Sequence, residues 1–273
     1  MRIVCLIATI LCLMLDISGC KYSQEQTEPK TEVRAERKIE KKLEQKVREK
    51  VQMSQLAESE DTSIEINPLI DREEQMSLFQ LWHKLSKGAV FQSKFLGVFT
   101  RQNPCDAWII QEIISEVKPD LIIETGTFHG GSALLWALIL ENTNPSGRVI
   151  TIDIKDKREQ RSIDLPIVKR RVDFFLGSSI DPKIVAEIVR RAKGKKVLVI
   201  LDSLHTKEHV LNELKVYSPL VSLGSYIIVQ DTPVGPNLAI KEFLTGNDSF
   251  LVDLRRERFV ITNTVGGYLK RVR

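Results

Sequence analysis

Three side chains that carry oxygen ligands follow two apolar segments of the sequence. Asp202 lies near the end of VLVILDS, which spans 197–203, and Gln230 and Asp231 close SYIIVQD, which spans 225–231. Both segments are short and apolar, so they are predicted to be buried strands. Parallel strands end at the same edge of an open sheet, where ligands bind. Carboxylate and amide oxygens suit Mg²⁺, so Asp202, Gln230 and Asp231 are a candidate metal site.

Two histidines, His205 and His209, follow Asp202 closely in the sequence. An imidazole changes its charge near neutral pH, so His205 is a candidate general base. We therefore take His205 and Asp202 as the candidate catalytic residues. The alternative is a hydrogen-bonded histidine at the start of a helix, which is the commoner role of a single histidine.

A glycine-rich turn, ETGTFHGG (124–131), follows another short apolar run. Gly126 permits a tight turn, and Gly130 lets the N-terminus of the next helix approach a ligand. The spacing does not make a P-loop, because Ser132 stands where the lysine is required. It does not make a dinucleotide fingerprint either, because phenylalanine replaces the second glycine. Close packing of a strand against a helix is the alternative explanation.

A carboxylate strengthens the ligand-binding interpretation of this turn. Asp153 lies 27 residues after Gly126, at the end of the apolar run 148–154. A carboxylate at that position can accept hydrogen bonds from both ribose hydroxyls of an adenosine ligand. Ser178 follows the next apolar run, where the adenine edge is expected. The alternative for Asp153 is a helix cap or a surface acid.

The elements that must position these residues alternate along the chain. Strands are predicted at 120–125, 148–154, 172–177, 197–203, 225–231, 250–254 and 258–264. Helices are predicted at 106–117, 132–141, 181–192, 208–217 and 236–244. The alternation predicts a mostly parallel sheet, and the last two strands are close enough to require an antiparallel C-terminal hairpin. The predicted class is α/β, with the Rossmann-like class I methyltransferase fold and helices on both faces.

Four segments resemble a known family: PDLIIETGTFHGGSA, VLVILDSLHTKEHVLNELK, GSYIIVQDT and GGYLKR. They are similar to the cephalosporin hydroxylase family, also described as rhamnosyl O-methyltransferase-like, over about residues 90–273. The resemblance implies a fold that binds S-adenosylmethionine and a divalent metal. It implies metal ligands at Asp202, Asp231 and position 230, where the family has Glu and this chain has Gln. The missing charge is expected to weaken Mg²⁺ binding. The resemblance also implies cofactor contacts at Gly126, Thr127, Gly130 and Asp153. From their positions at the ends of predicted strands, we add Glu124 and Ser178 to the candidate cofactor-binding residues.

We place the methyltransferase domain at 105–273, and three segments of different character are predicted before it. Residues 3–15 are continuously apolar but too short for a typical membrane span, and Cys20 ends a lipobox-like sequence. The basic residues after this run favour a domain on the cytoplasmic side of a membrane, whereas lipidation of Cys20 would export it as a lipoprotein. The predicted segments are a signal peptide, lipobox or membrane anchor at 1–20, a charged helical or disordered spacer at 21–66, and a helical extension at 67–104.

The chain is predicted to be an S-adenosylmethionine-dependent O-methyltransferase, and its composition bears on the partners that it could have. The net charge of +4 over 273 residues does not predict a nucleic-acid partner. The expected acceptor is a hydroxyl of a sugar, a glycolipid or a natural product, with assistance from Mg²⁺ and with homo-oligomers as an expected assembly. The alternative is a membrane-tethered accessory protein that kept the fold without turnover. A nicotinamide-dependent oxidoreductase is disfavoured by the failed glycine fingerprint.

Overall fold

The computed structural model of the protein describes residues 72–86 and 88–273. The predictions for 1–20 and 21–66 fall outside these residues. Among the described helices, none combines the length and apolar character needed to cross a bilayer.

A seven-stranded sheet forms the centre of the domain, and a small antiparallel hairpin precedes it. The strand order in the sheet is β5-β4-β3-β6-β7-β9-β8; β9 pairs antiparallel with both β7 and β8, and the other pairs are parallel. The strands are β1 (Lys94–Phe95) and β2 (Val98–Phe99) in the hairpin, and β3 (Leu121–Thr125), β4 (Arg148–Asp153), β5 (Val172–Leu176), β6 (Val197–Leu201), β7 (Tyr226–Val229), β8 (Phe250–Val252) and β9 (Tyr268–Arg271) in the sheet.

Helices cover both faces of the sheet, as predicted. Their bounds are α1 (Arg72–Ser86), α2 (Pro104–Val117), α3 (Gly131–Thr143), α4 (Gln160–Asp164), α5 (Pro166–Arg171), α6 (Pro182–Ala192), α7 (Lys207–Tyr217) and α8 (Pro236–Leu244). Alternate residues of β3 point to opposite faces: Ile122 packs in a core cluster with α2 and α3, and Ile123 packs in a second cluster with α6 and α7. The strands are therefore apolar on both faces, which a sheet covered by two helical layers requires.

The prediction of a final strand at 258–264 is wrong. After β8 the chain forms a 3-10 turn at Leu254–Glu257, and the following residues remain a loop until β9. The loop is held by a buried carboxylate rather than by a neighbouring strand: Asp106 accepts hydrogen bonds from the Thr262 hydroxyl, from the backbone N–H of Asn263 at 2.7 Å and from the Tyr268 hydroxyl at 2.9 Å. Side-chain anchoring of this kind leaves no periodic pattern in a sequence.

Candidate active site

A cavity of about 720 Å³ opens at the carboxyl edge of the sheet. Its walls come from the loops after β3, β4, β5, β6 and β7, together with the loop before α2. This is the edge at which open α/β sheets bind ligands, and the volume suits a cofactor with part of a substrate.

Gly126 lines the cavity at the end of β3. It has a φ of +90°, and a Cβ atom there would lie 1.9 Å from the backbone oxygen of Asp202. The chain therefore passes the end of β6 too closely for any side chain. Gly130 also has a positive φ, of +83°, and caps α3, but it does not line the cavity. Its role in the structure is to begin the helix.

Asp153, Thr127 and Ser178 all line the cavity. Each oxygen of the Asp153 carboxylate accepts one backbone N–H, from Phe128 at 2.9 Å and from Lys155 at 3.0 Å. These two bonds fix the orientation of the carboxylate and leave lone pairs on both oxygens. Asp153 therefore presents a fixed acceptor surface of the kind that a ribose diol requires.

Glu124 does not line the cavity, contrary to our expectation of a cofactor contact. Its side chain is 1% exposed and accepts hydrogen bonds from Trp136 Nε1 at 2.9 Å and from the Thr151 hydroxyl at 2.6 Å. Burial raises the pKa of Glu124 to about 7. Thr151 in turn lies 2.7 Å from the Thr127 hydroxyl. Glu124 is thus linked to the glycine-rich turn through Thr151 and Thr127, and it does not line the cavity.

His205 lies between the two predicted metal-binding carboxylates. Its Nε2 atom is 3.3 Å from Asp202 Oδ1, and its Nδ1 atom is 3.4 Å from Asp231 Oδ2. Burial by itself would lower the pKa of His205, but the hydrogen bond to Asp202 and the charges of both carboxylates outweigh burial and raise it. Burial, with a contribution from the charge of Asp231, raises the pKa of Asp202 to about 6. The neighbouring strands β6 and β7 thus bring Asp202 and Asp231 together, as predicted.

Gln230 does not join this cluster. Its amide is buried and hydrogen-bonded to Gln102, so it does not line the cavity. The cluster that forms is Asp202, His205 and Asp231, whose ligand atoms lie within 4.8 Å of one another. Two carboxylates and an imidazole fit a divalent cation, although this donor set differs from the three oxygen ligands that we expected.

Several residues of the site had no signal in the sequence. Arg101 and Lys157 lie over the ring of Phe128, at 4.1 Å and 5.3 Å from its centroid, and all three line the cavity. Phe128 has a φ of +44° and Arg101 a φ of +53°, so both lie in the left-handed region that is uncommon for their residue types. Arg101, Phe128 and Lys157 come from three separate loops, and only the tertiary structure brings these three residues together.

A buried network borders the cavity beside Ser178. Glu213 is completely buried and accepts hydrogen bonds from the hydroxyls of Ser179 at 2.6 Å and Ser203 at 2.7 Å. The hydrogen bond with Glu213 raises the pKa of His209, which also lines the cavity. His209 was noticed in the sequence only as a neighbour of His205, and Glu213 had no distinguishing signal on its amphipathic helix.

The sheet order, the glycine-rich turn after β3 and the carboxylate at the end of β4 define a class I methyltransferase. A family model described as Rhamnosyl O-methyltransferase/CmcI matches residues 87–272. The chain belongs to this family, and it is an S-adenosylmethionine-dependent O-methyltransferase of that type.

Individual relatives agree with this assignment. The rhamnosyl O-methyltransferase of Mycobacterium bovis is 34% identical over 213 residues, which cover 70% of this chain and 83% of that protein. The enzyme of the same name from Mycobacterium leprae is 33% identical over 156 residues, which cover 56% of this chain and 66% of that protein. A solved structure of CmcI, described as containing Mg and SAM, has a TM-score of 0.54 and 18% identity and covers 67% of this chain and 78% of that chain. This last similarity concerns the fold.

Proposed function

We propose that this enzyme methylates a hydroxyl of a polyhydroxylated acceptor, such as a sugar, a glycolipid or a natural product, with assistance from a divalent cation. The observation that carries the proposal is the position of Asp202, His205 and Asp231 in the same cavity as Gly126 and Asp153. One wall can hold a nucleoside, and the other offers charged groups that recognise oxygen. The curated relatives are named for a rhamnosyl acceptor, which supports a sugar.

The nucleoside side of the cavity combines polar and apolar surfaces. Asp153 can accept hydrogen bonds from the ribose hydroxyls, and Gly126 leaves room for the chain of the cofactor. Ile154 and Leu204 are 68% and 57% exposed and both line the cavity, so they offer apolar surfaces for the adenine ring. Bound S-adenosylmethionine supplies a methyl group that its sulfonium already makes electrophilic. The chain must therefore orient the two reactants and remove the proton of the acceptor hydroxyl.

His205 is the residue placed to take that proton. The carboxylates of Asp202 and Asp231 face its two ring nitrogens and stabilise the protonated imidazole. In this arrangement His205 is not a ligand of the cation: the two carboxylates alone would hold it, and its positive charge would lower the pKa of a bound hydroxyl. Asp202 is 24% exposed and Asp231 34% exposed, so both remain accessible from the cavity.

Turnover with defined acceptors tests the proposal. The full-length chain is incubated with methyl-labelled S-adenosylmethionine, with and without Mg²⁺, and with rhamnosides, other hexosides and simple phenols. We expect a methyl ether on a sugar hydroxyl, a higher rate with Mg²⁺, and loss of turnover in Asp202→Asn with S-adenosylhomocysteine binding retained. Methylation of phenols alone would contradict the sugar acceptor, and an unchanged rate in chelator would contradict the assisting cation.

The only indication of where the enzyme is located in the cell comes from its N-terminal sequence. We propose that residues 1–20 attach the chain to a membrane and that the catalytic domain lies on the cytoplasmic side, where S-adenosylmethionine is made. Protease treatment of spheroplasts tests this: a protected domain is expected, and digestion from outside would support an exported lipoprotein. The accessory-protein alternative is not supported, because the chain belongs to a family of O-methyltransferases.

A further inference from the structure

Gln102 and Gln230 form a reciprocal pair of hydrogen bonds, which we call the amide clasp. Gln102 Nε2 donates to Gln230 Oε1 at 3.0 Å, and Gln230 Nε2 donates to Gln102 Oε1 at 2.7 Å. Each side chain is 5% exposed. Buried amides need partners for their polar atoms, and here each largely satisfies the other. The clasp holds Gln230 away from the cavity.

The orientation of the clasp is set by Asp202. Gln102 Nε2 also donates to Asp202 Oδ2 at 3.2 Å. An ionised carboxylate can only accept, so the NH₂ group of Gln102 must face Asp202 and its oxygen must face Gln230. The residue at position 230 must then donate a hydrogen bond. Gln can do so, whereas an ionised Glu could still accept from Gln102 Nε2 but would bring its second oxygen against Gln102 Oε1.

A second amide holds the other carboxylate in the same way. Asn263 Nδ2 donates to Asp231 Oδ1 at 2.9 Å, and Asn103 Nδ2 donates to Asn263 Oδ1 at 3.1 Å. Each carboxylate therefore has one oxygen held by an amide and the other facing His205. Gln102 and Asn103 are adjacent in the chain, so the loop before α2 orients both acids.

We propose that Gln102 is a positioning residue that both orients Asp202 and keeps position 230 out of the cation site. The inference rests on the proposed cation at Asp202 and Asp231. It means that a carboxylate at position 230 contributes little to cation binding while Gln102 is present. The identity of residue 102, and not the charge of residue 230 alone, determines whether this chain has two or three acidic ligands.

A double-mutant cycle tests the clasp by direct metal binding. The full-length wild type, Gln230→Glu, Gln102→Met and the double variant are titrated with Mn²⁺, and free Mn²⁺ is measured by electron paramagnetic resonance. Met is unbranched and similar in size, but it does not present the amide oxygen. Gln111→Met, at a half-buried position of α2 that does not line the cavity, is the matched control and should bind Mn²⁺ as the wild type does. Melting temperature and calorimetry with S-adenosylhomocysteine check folding and the cofactor wall.

We expect Gln230→Glu alone to change Mn²⁺ affinity less than threefold. Gln102→Met alone should weaken it about tenfold, the usual effect of removing a group that orients a metal ligand. In the Gln102→Met background, Gln230→Glu should tighten binding at least tenfold more than in the wild type, a coupling of about 1.4 kcal/mol. Affinity for S-adenosylhomocysteine should stay within threefold throughout.

Two results would overturn the proposal. If Gln230→Glu alone tightens Mn²⁺ binding tenfold, or if the two substitutions act additively, the clasp does not withhold position 230, while the cation function survives. If no protein binds Mn²⁺ although all bind S-adenosylhomocysteine, the clasp and the proposed cation both fail, and the methyltransferase assignment survives. Should the double variant not fold, Gln230→Glu alone still decides, because tenfold tightening contradicts the clasp and a change below threefold supports it.

Discussion

Replacing Glu124 by Gln should remove a dependence of stability on pH that the buried carboxyl creates. Burial raises the pKa of Glu124 from 4.5 to about 7, so the folded state holds this proton more tightly than the unfolded chain does. The stabilisation from proton binding is complete below the unfolded pKa and is lost as the pH rises through about 7. A difference from 4.5 to about 7 corresponds to about 3 kcal/mol at most.

Gln can keep the hydrogen bonds that Glu124 makes with Trp136 and Thr151. Its oxygen can accept from Trp136 Nε1, and its NH₂ group can donate to the Thr151 hydroxyl oxygen. Thr151 can then turn its own proton toward Thr127, whose hydroxyl lies 2.7 Å away. The variant should therefore fold, and it carries no titrating group at this position.

Urea denaturation followed by circular dichroism, at intervals between pH 4.5 and 8.5, measures the effect. The free energy of unfolding of wild type minus Glu124→Gln should fall by about 3 kcal/mol across the lower part of this range and level off above about pH 8. Glu208→Gln, on the exposed side of α7, controls for the chemical change. Affinity for S-adenosylhomocysteine should change less than threefold, because Glu124 does not line the cavity. A difference between wild type and variant that is independent of pH would refute the reasoning.

Three further substitutions test the cavity. Gly126→Ala should lower the free energy of unfolding by about 3 kcal/mol, measured by urea denaturation, because its Cβ atom would lie 1.9 Å from the Asp202 backbone oxygen. The control Gly194→Ala should lose much less, because Gly194 has a similar φ of +73° but open space around it. Asp153→Ala should weaken S-adenosylmethionine binding about tenfold or more by calorimetry, and Asp164→Ala, at the surface, should not. His205→Asn should lower turnover on the order of 100-fold with cofactor affinity retained; an unchanged rate would exclude it as the base.

The order of strands and helices was largely readable from the sequence because buried parallel strands must be apolar on both faces. The apolar runs at 120–125, 148–154 and 197–203 predict strands, and the ends of the second and third runs indicate where Asp153 and Asp202 lie in the sheet. The final strand was misplaced because the residues that anchor the loop before it are spread along the chain. Asp106 binds Thr262 and Asn263 from more than 150 positions away.

Residue types and strand ends determined which side chains could do chemistry in this protein, and the tertiary structure decided how each is used. Asp202, His205 and Asp231 meet because adjacent parallel strands end at one edge, which the sequence pattern implies. The pairing of Gln230 with Gln102 joins residues 128 positions apart. A hydrogen bond depends on the distance and direction between two atoms, and neither is encoded in local periodicity. Only the folded chain shows that Gln230 faces an amide and not the cavity.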